Sequence, residues 1–372
     1  MKKPLKISVG VVARNEESGI VATLKSVLEQ SVFCEAGKLG FESELIVIAN
    51  GCTDRTVPIT TEFLEKSRVE FPAGGPVSLR LEEVIEAGFP NAWNLLAHTY
   101  SRPDADFIFF VNADIVIDRS DVFERMLVAI QKDYDMKVVS PIGRKHIETA
   151  QCKTVCDRLN LAVTRFTERT HTAQVRGHCF CARAAAMRTV WLPKQLPGAV
   201  DGCFKRMICS DMASRPDNSA RIGVAADAAY TFEAYRTFYD IYCRRVRLFV
   251  GQTFTETLMR HLKIQRTDRP ELNPVAYLRA RDQADPNWIY RLVQLSIREN
   301  GLVNTMPSPW FRFRFWHNPK ISFFKKIRML PVAVLAFVFD VPVFLSAAWH
   351  LKTGRVAGVW KDRRSRDRRP AG

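Results

Sequence analysis

The stretch Asp106-Phe107-Ile108-Phe109-Phe110-Val111-Asn112-Ala113-Asp114-Ile115-Val116-Ile117-Asp118 decides the fold. Phe107 to Val111 is an unbroken apolar run closed at both ends by polar residues. Such a run suits a strand buried on both faces, as in a parallel sheet with helices on either side. Open α/β sheets bind their ligands at the carboxyl ends of such strands. Asp114 then stands where the chain leaves a dry core and faces a cleft, placed to hold a hydrated divalent cation against a diphosphate. A lone acid there equally begins a turn, and the rest of the chain has to separate the two.

Upstream, Ile7 to Ala13 is β-branched and apolar and breaks at Arg14-Asn15-Glu16-Glu17. Ile20, Leu24, Val27 and Leu28 then recur at helical spacing, with Ser18 as N-cap. Leu45 to Ala49 predicts a second buried strand, running into Asn50-Gly51-Cys52-Thr53-Asp54-Arg55-Thr56. Thr53 or Asp54 can cap the following helix, which carries Ile59, Phe63 and Leu64. Val77 to Leu81 predicts a short strand and Asn91 to Tyr100 a helix. Strand, polar turn and helix in repetition is the pattern of a parallel sheet with right-handed crossovers.

Downstream, Val122, Met126, Leu127 and Ile130 predict a helix, and Val138-Val139 with Ile142 a short strand. Helical spacing returns from Val155 to Phe166, Gln174 to Ala182 reads as extended, and Phe232 to about Leu262 as a long, partly basic helix.

An apolar fraction of 47% excludes general disorder, and 372 residues suffice for one large α/β domain or two moderate ones. The net charge of +16 implies an anionic partner: nucleic acid, anionic lipid or a phosphorylated substrate. Cys152/Cys156 and Cys179/Cys181 lack the paired spacing of zinc modules, so the nine cysteines read as thiols in a reducing compartment. Met1 to Lys6 is followed by no uninterrupted apolar signal region, which predicts a cytosolic catalytic part.

The last third differs in kind. Apolar density falls between 263 and 286, predicting an exposed linker. Trp310 to Trp316 alternates aromatic and basic residues. Residues 329–351 are apolar apart from Asp340, Ser346 and His350, long enough to cross a bilayer. Pro331, Pro342 and Asp340 oppose a span, since a charge at mid-depth costs on the order of 3 kcal/mol. Basic flanks on both sides choose no orientation, whereas insertion from one side leaves both flanks cytosolic. A transmembrane span, a monotopic insertion and a buried helix of a soluble protein all remain open.

Val12-Ala13-Arg14-Asn15-Glu16-Glu17, then Ile46 to Asp54, then Val111-Asn112-Ala113-Asp114 together resemble a family 2 glycosyltransferase over roughly residues 5 to 250. The resemblance implies a GT-A fold: an α/β, Rossmann-like, mostly parallel central sheet flanked by helices, here with a C-terminal helical membrane-associated segment. It implies an inverting enzyme that uses a nucleotide-diphosphate sugar. Ala13, Arg14, Asn15, Glu16, Asn50, Asp54, Asn112 and Asp114 would bind the donor, with Mn²⁺ or Mg²⁺ held at Asp114. Asn112 replaces the first acid of the family's D-x-D element, Ala49-Asn50 replaces a frequent acid pair, and Phe89 to Asn94 lacks a basic residue. These departures bear on the donor's base more than on the reaction.

Arg176 to Arg183 is similar to the family's acceptor stretch, implicating Gly177, His178 and Arg183. Asp201 falls where the family keeps its catalytic base, with Asp211 and Asp217 as substitutes; it could also cap a helix. A carboxylate opposite the leaving diphosphate would take the acceptor hydroxyl's proton. Arg244-Arg245-Val246-Arg247 would meet the diphosphate or the membrane, or form a solvated helix face.

The expected organisation is a GT-A domain over 1–235, a basic and aromatic helical extension over 236–328, a membrane segment over 329–351 and a basic tail over 352–372. The expected partners are the donor, a lipid-linked or membrane-proximal acceptor and an anionic membrane surface at the cytoplasmic side of the cell membrane, with no nucleic acid. A nucleotidyltransferase would want a Gly-rich, Lys-bearing loop, which Val12 to Ser18 lacks. A nucleic-acid binder would place its charges along a folded groove rather than beside an apolar stretch. Asn112 raises a third rival, a degenerate transferase that binds sugar nucleotide without turnover.

Overall fold

The computed structural model describes residues 3–148, 157–158, 161, 174–235, 237–319 and 321–354. Most of the helical spacing from Val155 to Phe166, together with Cys152 and Cys156, lies outside the described residues.

Among the described residues, eight strands form one sheet in the order β3-β2-β1-β4-β7-β6-β8-β5. They are β1 (Leu5–Ala13), β2 (Phe41–Asn50), β3 (Val77–Val84), β4 (Phe107–Asn112), β5 (Ile115–Ile117), β6 (Val138–Lys145), β7 (Cys179–Arg183) and β8 (Ile222–Phe232). The first four pair in parallel, as do β6 and β8. β7 runs antiparallel to both β4 and β6, and β5 antiparallel to β8. The sheet is therefore parallel in its amino-terminal half and mixed beyond β4.

The apolar run of β4 is buried on both faces. Ile108 and Phe110 enter a core with Trp93, Phe180 and Phe204, while Phe107, Phe109 and Val111 enter another with Leu24, Val47 and Phe123. No polar side chain could be accommodated before Asn112 without an unmet desolvation cost. The chain must place its first polar group at the end of the strand.

The first of these cores continues into the C-terminal helices. Phe249, Phe254, Leu258 and Leu262 of the helix Phe238–Asp268 belong to it, as do Val343, Ala347 and Leu351 of the helix Phe323–Thr353. The linker expected near 263–286 is instead the end of one helix and a second helix, Pro274–Ala284. Only Leu278 and Asp282 of that second helix are buried, so its sequence carries little apolar signal. The Asp282 carboxylate accepts the indole N–H groups of Trp191 at 2.8 Å and Trp288 at 2.7 Å, and burial raises its pKa.

Trp93 is buried and packs on Phe89, Phe110, Phe180 and Phe204. Trp93→Ala is expected to lower the unfolding free energy by about 3–5 kcal/mol. Denaturant unfolding followed by fluorescence or circular dichroism measures it.

Candidate active site

The register of the parallel strands brings their carboxyl ends level. Val12 pairs with Asn112 and Ala13 with Ala49, so the tips of β1, β2 and β4 lie side by side at one edge of the sheet. β7 joins from the other side, because the Asn112 amide donates to the His178 carbonyl at 2.8 Å.

The tips of β1 and β2 are fastened together by side chains. Asn15 turns the chain in the left-handed region (φ 54°), which asparagine tolerates better than most residues. Its Oδ1 accepts from the Thr53 amide at 2.8 Å. The Glu16 amide donates to Thr56 Oγ1 at 2.7 Å, and the Glu17 amide to Asp54 Oδ2 at 3.2 Å. Asp54 Oδ1 accepts the Thr56 amide at 3.0 Å and its hydroxyl at 2.6 Å. Asn50 is buried, and its Oδ1 accepts from the Gly88 amide at 3.0 Å. Asn15, Asn50 and Asp54 thus shape the loops, while Arg14 beside them is exposed to solvent. Glu17 and Thr56 share this work although the sequence reading assigned them no place in the site.

Asn112 and Asp114 follow β4, with the intervening Ala113 amide donating to the Val12 carbonyl at 3.0 Å. Thr23 fixes this corner, its hydroxyl reaching the Ala113 carbonyl at 2.8 Å and the Ile115 carbonyl at 2.7 Å. Asn112 Oδ1 is buried and has no hydrogen-bond partner among the described residues. A carbonyl oxygen of that kind suits a cation or a ligand hydroxyl. Among the described residues no group of three or more His, Cys, Asp and Glu could hold a metal. Mg²⁺-like cations, however, commonly take one or two carboxylates and complete their shell with water and substrate phosphates. Asp114 with the Asn112 amide oxygen fits that thin donor set.

Gly177, His178 and Asp201 come together at the β7 tip. A Cβ on Gly177 would lie 3.1 Å from Asp201 Cβ, so the absence of a side chain lets the acid approach. Asp201 stands in the first turn of the helix Val200–Cys209, and its Oδ1 accepts the Gly202 amide at 2.9 Å. The corner before it is tightly held. Ala199 takes a left-handed conformation (φ 50°), and Gly251 of the long helix approaches the Gly198 backbone too closely to admit a Cβ. The capping role that Asp201 could also have had is not what the structure shows: the N-cap is Ala199, Asp201 lies inside the first turn, and no side-chain bond caps that helix.

His178 stacks on Phe232 at 4.9 Å, with Tyr230 at 6.1 Å. Burial pushes its pKa down to about 4, against the pull of Asp201 and with a further push from Arg244 and Arg176. Phe232 ends β8, a strand the sequence reading did not find, and the long helix expected from Phe232 starts only at Phe238. Arg244 also lies over the Tyr235 ring at 5.8 Å. Of its neighbours, Arg245 turns to Asp340, while Arg247 donates to the hydroxyl of the same Tyr235 at 3.1 Å.

Arg183 is not brought to this edge of the sheet. β7 runs antiparallel to β4, so Arg183 pairs with Phe107 at the opposite end of the sheet. Its guanidinium donates to the carbonyls of Met136 and Ile130, both at 2.9 Å. The acceptor role expected of Arg183 is thereby corrected to a structural one.

A family model described as Glycosyl transferase family 2 matches residues 8–194, just over half of the 372-residue chain. None of the curated proteins compared with it matches. Among solved structures, the chain is similar to the mannosyltransferase PcManGT from Pyrobaculum calidifontis, in complex with GDP-Man and Mn²⁺. That likeness has 14% identity and a TM-score of 0.50, covering 95% of this chain and 88% of the other. It is also similar to residues 1–349 of S. aureus TarS, with 15% identity, a TM-score of 0.45 and coverages of 94% and 92%. At such identities the likeness to PcManGT speaks for the fold.

A folded-state pKa below the unfolded value of about 6.5 means that His178 favours folding above that value and disfavours it progressively as pH falls towards about 4. His98 and His261, also lowered by burial, act with the same sign. His178→Phe should therefore flatten the loss of melting temperature between about pH 6.5 and pH 4 relative to wild type. Melting curves across that range test it.

Proposed function

Because the chain belongs to glycosyl transferase family 2, we propose that it transfers a sugar, with inversion, from a nucleotide-diphosphate sugar to an acceptor hydroxyl. The observation that supports it is the nearness of Asp201 to the β4 tip. Asp201 lies against Gly177, and the adjoining His178 carbonyl is bonded to the Asn112 amide.

In this reading the linked loops after β1 and β2 hold the donor's nucleoside, with Ala13, Arg14, Asn15 and Glu16 on one side and Asn50 and Asp54 on the other. A divalent cation at Asp114 and Asn112, Mn²⁺ or Mg²⁺, would neutralise charge growing on the leaving diphosphate. Asp201 takes the acceptor proton as the hydroxyl oxygen attacks the anomeric carbon and the carbon–oxygen bond to the diphosphate breaks. His178 stays neutral near pH 7 and acts as a rigid wall rather than a second base. Arg244 adds positive charge on the same side of the cleft.

The acceptor in this proposal is lipid-linked or membrane-proximal, and the catalytic part sits on the cytoplasmic side. What supports it is the apolar helix Phe323–Thr353, long enough to engage a bilayer and only 17% buried over its most apolar window.

Asp201→Asn should lower kcat by about 10²–10⁴ while nucleotide-sugar binding persists. Asp114→Ala should instead weaken binding of the donor in the presence of Mn²⁺. Nucleoside diphosphate release and donor titration separate the two effects. Turnover by the wild type also separates this reading from a binding protein that has lost catalysis.

A further inference from the structure

We infer that the C-terminal helix, Phe323–Thr353, lies flat on one leaflet of an anionic membrane and does not cross it. Its two faces are unlike. Ala333, Asp340, Val343, Ala347 and Leu351 are buried, whereas Phe324, Leu335, Val338, Leu345 and Trp349 are 84%, 71%, 61%, 61% and 50% exposed. At 3.6 residues per turn these two sets fall on opposite sides of the helix.

The inner face is locked to the catalytic part. Asp340 is fully buried between the guanidinium groups of Arg245, at 3.0 Å, and Arg312, at 2.6 Å. The Tyr242 hydroxyl donates to the Pro342 carbonyl at 3.3 Å, and Gln294 Nε2 to the Leu351 carbonyl at 2.6 Å. Trp310 and Phe313 pack on Phe337 at 4.7 and 5.5 Å. Contacts therefore run from Phe337 to Leu351 on one side.

That lock is incompatible with a span. Asp340 lies near the middle of the helix, so a perpendicular helix would put its level at mid-bilayer. Arg245 and Arg312 would be carried there with it, together with Arg244 and Arg247 on the adjoining helix. Charged side chains at that depth cost on the order of 3 kcal/mol each. The extended backbone at Ser308 and Asn318, on either side of the 3₁₀ helix Pro309–His317, would also enter hydrocarbon, where lipid-exposed non-helical backbone is not tolerated. Lying flat, the same 31-residue helix of about 46 Å offers its whole outer stripe to acyl chains.

The occupant is identified by charge. Lys325 and Arg328 at one end of the stripe and Lys352 at the other are exposed, and the chain as a whole carries +16. Trp310, Trp316 and Trp349 are also exposed, amphipathic rings suited to the headgroup level. Packing two such helices together would set basic ends against basic ends in an antiparallel pair and in a parallel one. Anionic headgroups neutralise both ends. Arg245, which grips Asp340, follows Arg244, whose charge acts on His178, so the cleft lies beside the membrane-docked layer. The inference deepens the membrane-proximal acceptor proposed above, and its test reads topology and lipid binding rather than transfer, so either can fail alone.

The full chain carrying an epitope tag at each terminus is expressed, and inverted membrane vesicles are treated with protease. Both tags should be removed without detergent; protection of the C-terminal tag alone would establish a span and overturn the inference. The purified chain should float with phosphatidylcholine vesicles containing phosphatidylglycerol at least about tenfold better than with phosphatidylcholine alone, and lose that advantage at high salt. Failure to float with either vesicle overturns it. Leu335→Glu with Leu345→Glu should abolish flotation with an unchanged melting temperature. If that variant instead dissolves a dimer while still floating, the stripe is a subunit interface and the inference fails.

Discussion

A strand whose side chains are dry on both faces can carry charge only where it ends. β4 is under that constraint from Phe107 to Val111, with a separate apolar core on each side. The parallel pairing of β1, β2 and β4 then brings three such ends level. Polar residues excluded from the sheet are gathered in one place, and the cleft follows from the same burial that stabilises the sheet.

The site is held in two halves by different means. At the tips of β1 and β2, hydrogen bonds accepted by Asn15, Asp54 and Thr56 tie two loops whose own backbones would otherwise be unsatisfied. On the opposite side the device is close approach. Gly177 admits Asp201, and Gly198 meets Gly251 of the long helix, so Asp201 is set by backbone contact more than by bonds of its own. A methyl group at any of these glycines would have to move backbone or a neighbouring side chain, the acid itself among them.

The parallel strands were legible because β-branched and apolar runs between polar turns have few other readings. Asn112, Asp114 and Asp201 were proposed because a family pattern fixes their order, and the Asn112 amide and Asp201 both lie beside the Gly177-His178 corner. Arg183 was misplaced because a linear motif does not reveal that its strand runs backwards, which sends the two ends of a short segment to opposite ends of the sheet. β8 escaped notice because Ile222 to Phe232 is rich in alanine and interrupted by Asp227, weak signals for a strand. The helix Pro274–Ala284 read as a linker because one leucine and one acid, rather than an apolar stripe, anchor it. Asp340 looked costly in sequence and is reconciled by Arg245 and Arg312, which are distant in the chain.

The central claim is that the linked loops and the β4 tip form a binding site for a metal-bridged nucleotide sugar. Thermal unfolding in a panel of UDP-, GDP- and dTDP-sugars, with and without Mn²⁺, tests it most directly. One donor with Mn²⁺ should raise the stability by about 2.7 kcal/mol at a hundredfold excess over its Kd, with a smaller effect when the metal is left out. No stabilisation by any of them, with metal present, would contradict the account.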